Sequence, residues 1–325
     1  MNNAVVMGID TSNYTTSVAI ISLNGQLLAN IKAPLLVKEG ERGLRQSDAL
    51  FAHVKNLPTV MDKVKEYLSD KKILAVGVSE RPRNIEGSYM PCFLAGVAAQ
   101  KSIIAATGVS GYYFSHQCGH IMAVISGAER LDLLSKKFVA FHLSGGTTEM
   151  LEVTGSGSDF ISKLIGGTED LNAGQVIDRI GVYMGLSFPC GCEMEKLALA
   201  YSGKIPSKKA KIKEYTFNLS GLENLARKLY DQTSDRNLTA AFVFDYISSV
   251  LEAVCEKYEE NNGKSVFLFG GGVSSNSIIR ARLQTKFDVV FSEPSLSADN
   301  AVGIAALTLR AYNLEKLNGY FTSER

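Results

Sequence analysis

The 325-residue chain carries 34 Lys and Arg against 33 Asp and Glu, a formal charge of +1, with 46% hydrophobic residues, 29 Gly, five Cys and no Trp. That length exceeds what one hydrophobic core sustains, so two lobes are expected, and a disordered or collagen-like chain is excluded. The near-neutral balance lacks the basic excess of a free-standing nucleic-acid binder, so any RNA contact must be local or shared with a partner.

The first 32 residues, which contain MGIDTSNYTTSVAI, predict three strands, VVMGID, TTSVAIIS and QLLANIK, with turns at residues 11–14 and at Asn24 and Gly25. The N-terminus has no basic start and breaks its apolar run at Asp10, and no run approaches the roughly 18 apolar residues of a membrane span. The odd set Cys92, Cys118, Cys190, Cys192 and Cys255 has no framework spacing and suits a reducing compartment. A cytoplasmic protein with no membrane partner is expected. Residues 46–70 carry helical periodicity interrupted by Pro58, which should kink the helix or start a new one. A strand comes next at 73–79, then a buried helix at 92–107 with Gly108 as its stop.

A second meander, FVAFHLSGG, TTEMLEVTG and FISKLIGG, repeats the opening plan, with Thr147 and Thr148 in the place of Thr15 and Thr16. Helices are expected over 172–184, 193–201, 222–230 and 239–260. A strand at 265–269 then enters Gly270, Gly271 and Gly272, another lies at 289–292, and a last helix covers 299–314. Lys204, Lys208, Lys209, Lys211 and Lys213 form a lysine-rich surface loop, a modest argument for RNA against the ordinary reading of a solvated loop.

Two strand-turn-strand units with small, hydroxyl-rich turns and a late glycine turn describe related lobes holding a nucleotide in a cleft. Gly145 and Gly146 let backbone N–H groups approach phosphate, although an ordinary hairpin turn also uses glycine. His116 and His120, in HQCGH, project from one helix face near enough to share a metal, which needs a third ligand; Asp299 and His142 are candidates. Asp10, at the end of the first strand, would position a metal, a water or a substrate amine. In TEDLNAGQVIDR, Asp170 and Asp178 lie two helical turns apart, one suited to a ribose hydroxyl, with capping and a solvated acid as the ordinary alternatives. An HExxH zinc peptidase loses its general base because Gln117 stands beside His116. Cys190 and Cys192 lack a second pair for a structural metal, and Ser144 lacks a nucleophile elbow.

Taken in order, MGIDTSNYTTSVAI, HQCGH, LSGGTTEML, TEDLNAGQVIDR, FPCGCEMEKLA, FNLSGL, GGGVSSN and SADNAVGIA resemble the tRNA N6-adenosine threonylcarbamoyltransferase family, once called glycoproteases, over nearly the whole chain. The resemblance implies an α/β, actin-like ATPase fold, ribonuclease H-like, of two duplicated lobes: residues 1–109 with about 299–325, and residues 110–298 with the nucleotide-binding glycine loop. It implies metal-dependent transfer of threonylcarbamoyl from its adenylate to N6 of adenosine 37 in tRNA. Position by position, His116, His120 and Asp299 resemble the metal ligands, iron or zinc. His142, Leu143, Ser144, Gly145 and Gly146 resemble the substrate phosphate loop, and in one branch of the family a tyrosine at position 142 can join the metal. Asp178, Gly191 and Asn276 are similar to residues that hold the nucleoside of ATP or the acyl-adenylate, with Gly271 and Gly272 in the adjoining glycine turn. Asp10 stands where the family has glutamate and, with Asp178, is the candidate catalytic carboxylate. Implied partners are tRNA, a paralogous actin-like subunit and a small ATPase or kinase.

Three departures stand out. Cys118 replaces the glutamate of HxEGH, Thr147 replaces the residue after SGG, and Ser79, Glu80, Arg81, Pro82 and Arg83 replace a glycine-proline segment. They leave two other readings open: transfer to a different acceptor, with Arg81 and Arg83 binding an anionic substrate, and an ATP-binding regulatory subunit.

Overall fold

The computed structural model describes residues 3–12, 14–36, 44–208, 210–296 and 301–322. Two compact units divide the chain: Met1–Lys136, Thr154–Ile161 and Ala298–Arg325 form the first, and Lys137–Val153 with Ser162–Ser297 the second.

In the first unit, β1 (Ala4–Ser12) is buried at nearly every position, as a central strand covered on both faces must be. It pairs antiparallel with β2 (Thr15–Ser22), which pairs with β3 (Leu27–Pro34). Helix α1 (Gln46–Leu68) runs through Pro58 without interruption, burying Ala49, His53, Val60 and Val64. The expected break is absent because the helix is held by its packed face, not by local propensity alone. Strand β4 (Lys72–Arg81) lies parallel to β1, and α2 (Phe93–Thr107) stops at Gly108, whose φ of +70° closes the last turn onto the Ile104 carbonyl. Strand β5 (Ser110–Ser115) lies parallel to β4 and leads directly into α3 (His116–Gly127), giving the sheet order β3-β2-β1-β4-β5.

The C-terminal helix Val302–Thr322 packs on this sheet and on α3 through glycines. A Cβ on Gly8 would lie 2.3 Å from the Ala305 nitrogen, and one on Gly303 would lie 1.7 Å from the Gly119 carbonyl oxygen. Backbone therefore meets backbone at both crossings. Residues 110–136, expected in the second lobe, belong to the first unit, because β5 completes its sheet and α3 packs against its last helix.

The second unit repeats the plan, apart from the hairpin tip Thr154–Ile161, which belongs to the first unit. Strands β6 (Lys137–Leu143), β7 (Thr148–Ser156) and β8 (Asp159–Thr168) precede α4 (Ala173–Tyr183) and α5 (Gly191–Leu199). A two-residue pair, β9 (Ile212–Lys213) and β10 (Thr216–Phe217), then leads to α6 (Ser220–Thr233) and α7 (Arg236–Asn262). Strand β11 (Val266–Gly270), α8 (Ser277–Gln284) and β12 (Asp288–Phe291) complete it. The order β12-β11-β6-β7-β8-β10-β9 contains, read backwards from β8, the connectivity of the first sheet. Phe141 of β6 stacks on Phe269 of β11 at 4.7 Å between ring centroids, under the buried face of α7. By length and composition α7 could cross a membrane, yet most of that stretch is buried in this core.

Candidate functional site

The histidine pair is placed by the end of the first sheet. Ser115 caps α3 by accepting the Cys118 N–H, so His116 opens the helix and His120 comes one turn later. Their Nε2 atoms lie 2.9 Å apart. His116 Nδ1 lies 3.0 Å from Asp10 Oδ1. The Asp10 side chain is completely buried; Ser12 Oγ donates to its Oδ2 at 2.7 Å, and Ser79 Oγ, from the intervening strand β4, donates to Oδ1. A buried carboxylate persists only when its oxygens are so satisfied. Asp10 therefore stands behind the His116 imidazole, the place an orienting carboxylate takes.

Paired Nε2 atoms with a carboxylate behind one ring are the donor set a divalent cation takes, so these residues fit a metal. Among the described residues no group of three or more His, Cys, Asp and Glu gathers to hold one. Asp299, the expected third ligand, lies outside the described residues. Ala301, two positions later, has its carbonyl oxygen 2.7 Å from where a Gly8 Cβ would stand.

Behind the histidines, Cys118 is buried, and desolvation, reinforced by the nearby Asp159 charge, pushes its thiol far above the ordinary range. It is a neutral packing group. Arg81 donates through Nε and Nη2 to Asn84 Oδ1 and through Nη1 to Glu80. Its guanidinium is thus occupied within the loop, which removes support for an anion clamp built on Arg81 and Arg83.

In the second unit, residues 144–147 form a tight turn: Ser144 N–H donates to the Thr147 carbonyl at 2.8 Å, and Ser144 Oγ accepts from the N–H groups of Thr147 and Gly146. Helix α4 abuts this turn. Its Ala173 N–H donates to Thr148 Oγ1, and a Cβ on Gly174 would come within 2.7 Å of the Gly145 nitrogen. Leu143 is a core side chain, so only its backbone can serve a ligand, whereas His142 is half-buried beside Gly271. Gly271 has φ +90°, and a Cβ there would meet the Leu143 carbonyl oxygen at 2.4 Å, so the fold itself demands glycine. At Gly145, Gly146, Gly191 and Gly272 the case is reversed: φ is not left-handed, and a Cβ would meet nothing within 4 Å.

Of the two aspartates of TEDLNAGQVIDR, only Asp178 lies on α4. Asp170 precedes it and accepts the N–H groups of Leu171, Leu219 and Ser220, capping α6; Asn172 with Gln175 caps α4. Burial alone would raise the Asp170 pKa, but bonds from Ser220, Leu219 and Leu171 outweigh it and hold the carboxyl below its ordinary value. Asp178 Oδ1 accepts the Cys190 N–H at 2.8 Å, and burial raises its pKa against that bond. Asn276 is 5% exposed; its Oδ1 accepts from Ile278 and Ile279, while Nδ2 finds no acceptor among the described residues. Sequence reasoning missed Ser79 and Asn84 beside the histidines, and Glu195, which accepts the Ser277 N–H at 2.7 Å. None sits in a local spacing that announces its partner.

A family model described as tRNA N6-adenosine threonylcarbamoyltransferase matches residues 27–306. The chain belongs to that family. It is 27% identical over 332 residues to the tRNA N6-adenosine threonylcarbamoyltransferase of Streptococcus suis strain 05ZYH33, covering 98% of this chain and 96% of the relative. The enzyme of that name from Streptococcus pneumoniae strain Taiwan19F-14 is 28% identical over 338 residues, with the same coverage. Among solved structures, full-length HypF in the phosphate- and nucleotide-bound form is similar with a TM-score of 0.62 at 11% identity, over 97% of this chain and 47% of that one. The activator of 2-hydroxyisocaproyl-CoA dehydratase from Clostridium difficile with bound ADPNP gives 0.52 at 12% identity, over 97% of both. At such identity these likenesses speak for the fold alone, and with the duplicated sheets they place the chain in the actin-like ATPase class. Membership of the threonylcarbamoyltransferase family makes it a transferase of tRNA modification.

Proposed function

We propose that this chain transfers the threonylcarbamoyl group of threonylcarbamoyl-adenylate to N6 of adenosine 37 in tRNA. The observation that carries the reading is the set of glycines at 145, 146, 191 and 272, which neither backbone conformation nor packing requires. Glycine without an internal reason leaves room for a ligand to approach the backbone. The 144–146 turn, with His142 and Leu143 leading into it, would take the adenylate phosphate on backbone N–H groups. Asp178, with one oxygen held by Cys190, keeps the other for a ribose hydroxyl. The buried Asn276 Nδ2 supplies a donor to the nucleoside; Gly191, Gly271 and Gly272 let the backbone come close.

His116 and His120 would hold one divalent cation, iron or zinc, with Asp299 as the third ligand. The likeness of SADNAVGIA to the family pattern is what offers Asp299. When bound, such a cation supplies Lewis-acid polarisation of a phosphate or carbonyl oxygen. Asp10 keeps the His116 Nδ1 proton and so directs Nε2 outward. In the transfer, a bond forms between N6 and the carbamoyl carbon, the bond from that carbon to the adenylate phosphate oxygen breaks, AMP leaves, and the amine loses one proton. Holding donor and acceptor in line is the main task, because the mixed anhydride is already activated. We assign the reaction to the cytoplasm, with tRNA as substrate and a paralogous actin-like subunit and small ATPase or kinase as partners.

The test supplies purified protein and those partners with threonylcarbamoyl-adenylate and an unmodified tRNA transcript, followed by nuclease digestion and mass spectrometry. The modified nucleoside is expected. Its absence, with donor and transcript intact, overturns the proposal.

A further inference from the structure

We infer that Asn84 is a positioning residue for the histidine pair, binding the first turn of α3 to the loop after β4 and to the tip of the β7–β8 hairpin. The inference rests on the metal reading of His116 and His120 and extends it to two of the three places where the chain departs from its family's pattern, Cys118 and the segment at the end of β4.

Asn84 Oδ1 accepts from Arg81 Nε at 3.2 Å and Nη2 at 3.0 Å, which fixes the amide's orientation and sends Nδ2 the other way. There Nδ2 lies 3.1 Å from Asp159 Oδ2, 3.1 Å from the Phe160 carbonyl oxygen and 3.2 Å from Cys118 Sγ. Alongside, the Pro82 carbonyl accepts the Gln117 N–H at 3.0 Å, satisfying one of the donors that every helix start leaves open. Loop and helix are therefore joined by backbone at 117 and by side chain at 118, between the two histidines.

The two departures are complementary. A glutamate at 118, as in the family's HxEGH, would bring a carboxylate toward the acceptors of Asp159 and Phe160. Cys118 puts a small thiol there, whose Sγ lies 3.7 Å from the Phe160 carbonyl oxygen, and Asn84, beside the altered segment, brings an amide donor to both acceptors. Asn84 reaches no reacting atom; it sets where α3 begins and hence where the two Nε2 atoms meet.

The experiment titrates Co2+ into the metal-free full-length protein, reading affinity by competition with a chromophoric chelator and geometry by the visible d–d bands. Asn84→Asp is nearly isosteric and keeps the Arg81 contact while replacing the donor by an acceptor. It should lower Co2+ affinity by about 10- to 100-fold, the range of outer-shell partners, and shift the bands. Asn84→Ala should do the same, and Cys118→Ser should stay close to the parent. The double variant Asn84→Asp with Asp159→Asn restores a donor–acceptor pair at one of the two acceptors and should bind Co2+ more tightly than Asn84→Asp alone. A lower Tm for Asn84→Asp with affinity and bands unchanged overturns the inference alone, as does a double variant that binds no more tightly than Asn84→Asp. A parent protein that binds no Co2+ overturns the metal reading and this inference with it.

Discussion

Replacing Gly174 by alanine separates the glycines that shape the fold from those kept clear for a ligand. The new Cβ would stand 2.7 Å from the Gly145 nitrogen and 2.8 Å from both the Gly145 Cα and the Ser144 oxygen, where ordinary contact begins at 3.4 Å. The 144–147 turn must then retreat by about 0.7 Å, or α4 must move. Overpacking of this kind costs about 1–3 kcal/mol, of which alanine's better helix propensity returns up to about 1 kcal/mol. Stability should fall by about 0–3 kcal/mol. Ligand binding should suffer more, since a displaced turn misplaces N–H groups whose bonds to a charged phosphate are worth about 1.5–3 kcal/mol each, so ADP affinity should drop about 10- to 100-fold. Gly145→Ala is the counterpart: its Cβ meets no protein atom within 4 Å, so Tm should hold while ADP binding is lost. Calorimetric titration with ADP and thermal melts of both variants give the comparison. Gly145→Ala protein that binds ADP as tightly as the parent would show that the turn is not kept clear for phosphate.

Other outcomes rest on the same geometry. Gly303→Ala would drive a Cβ to 1.7 Å from the Gly119 carbonyl oxygen, so chemical denaturation should show a loss of at least about 3 kcal/mol, with less metal retained on α3. Asp178 has a raised folded pKa, so its carboxylate is charged only above that value; ADP affinity should fall as pH drops through it, at a higher pH than for an ordinary aspartate, and Asp178→Asn should flatten the profile. Asp170 is shifted the other way. The stability it contributes is present above the unfolded aspartate pKa and lost as pH falls through its depressed folded value, so denaturation of Asp170→Ala should show a deficit of about 1–2 kcal/mol at neutral pH that closes in acid.

Much of the architecture was legible because its signals are local. The run VVMGID, the Asn24 and Gly25 turn and the repeated meander give strands from composition and spacing, and the two sheets share one connectivity. Strand β5 and helix α8 were not legible: SGYYFS and SIIRARLQ are short, and neither holds a period long enough to choose a state. Pro58 shows a local rule overruled by a packed helix face.

In the candidate site, the spacing of His116 and His120 announced a pair, but Asp10 lies 106 positions from His116 and meets it only because β1, β4 and β5 lie side by side. Ser79 is visible only from that same strand order. Asp170 is a cap, the ordinary alternative of its sequence reading, but two of its three backbone donors belong to a helix start about 50 residues on, which local spacing does not reveal. The glycines of 145, 146, 191 and 272 look alike in sequence to Gly271, and only the room around each one separates the two kinds.

The most direct measurement is native mass spectrometry of the full-length protein with its metal content, alongside the His116→Ala/His120→Ala variant. One divalent cation per parent chain is expected, with a bound adenine nucleotide retained by both proteins and no cation in the variant. Equal cation content in parent and variant would show that the two histidines hold no metal and would remove the basis of the site.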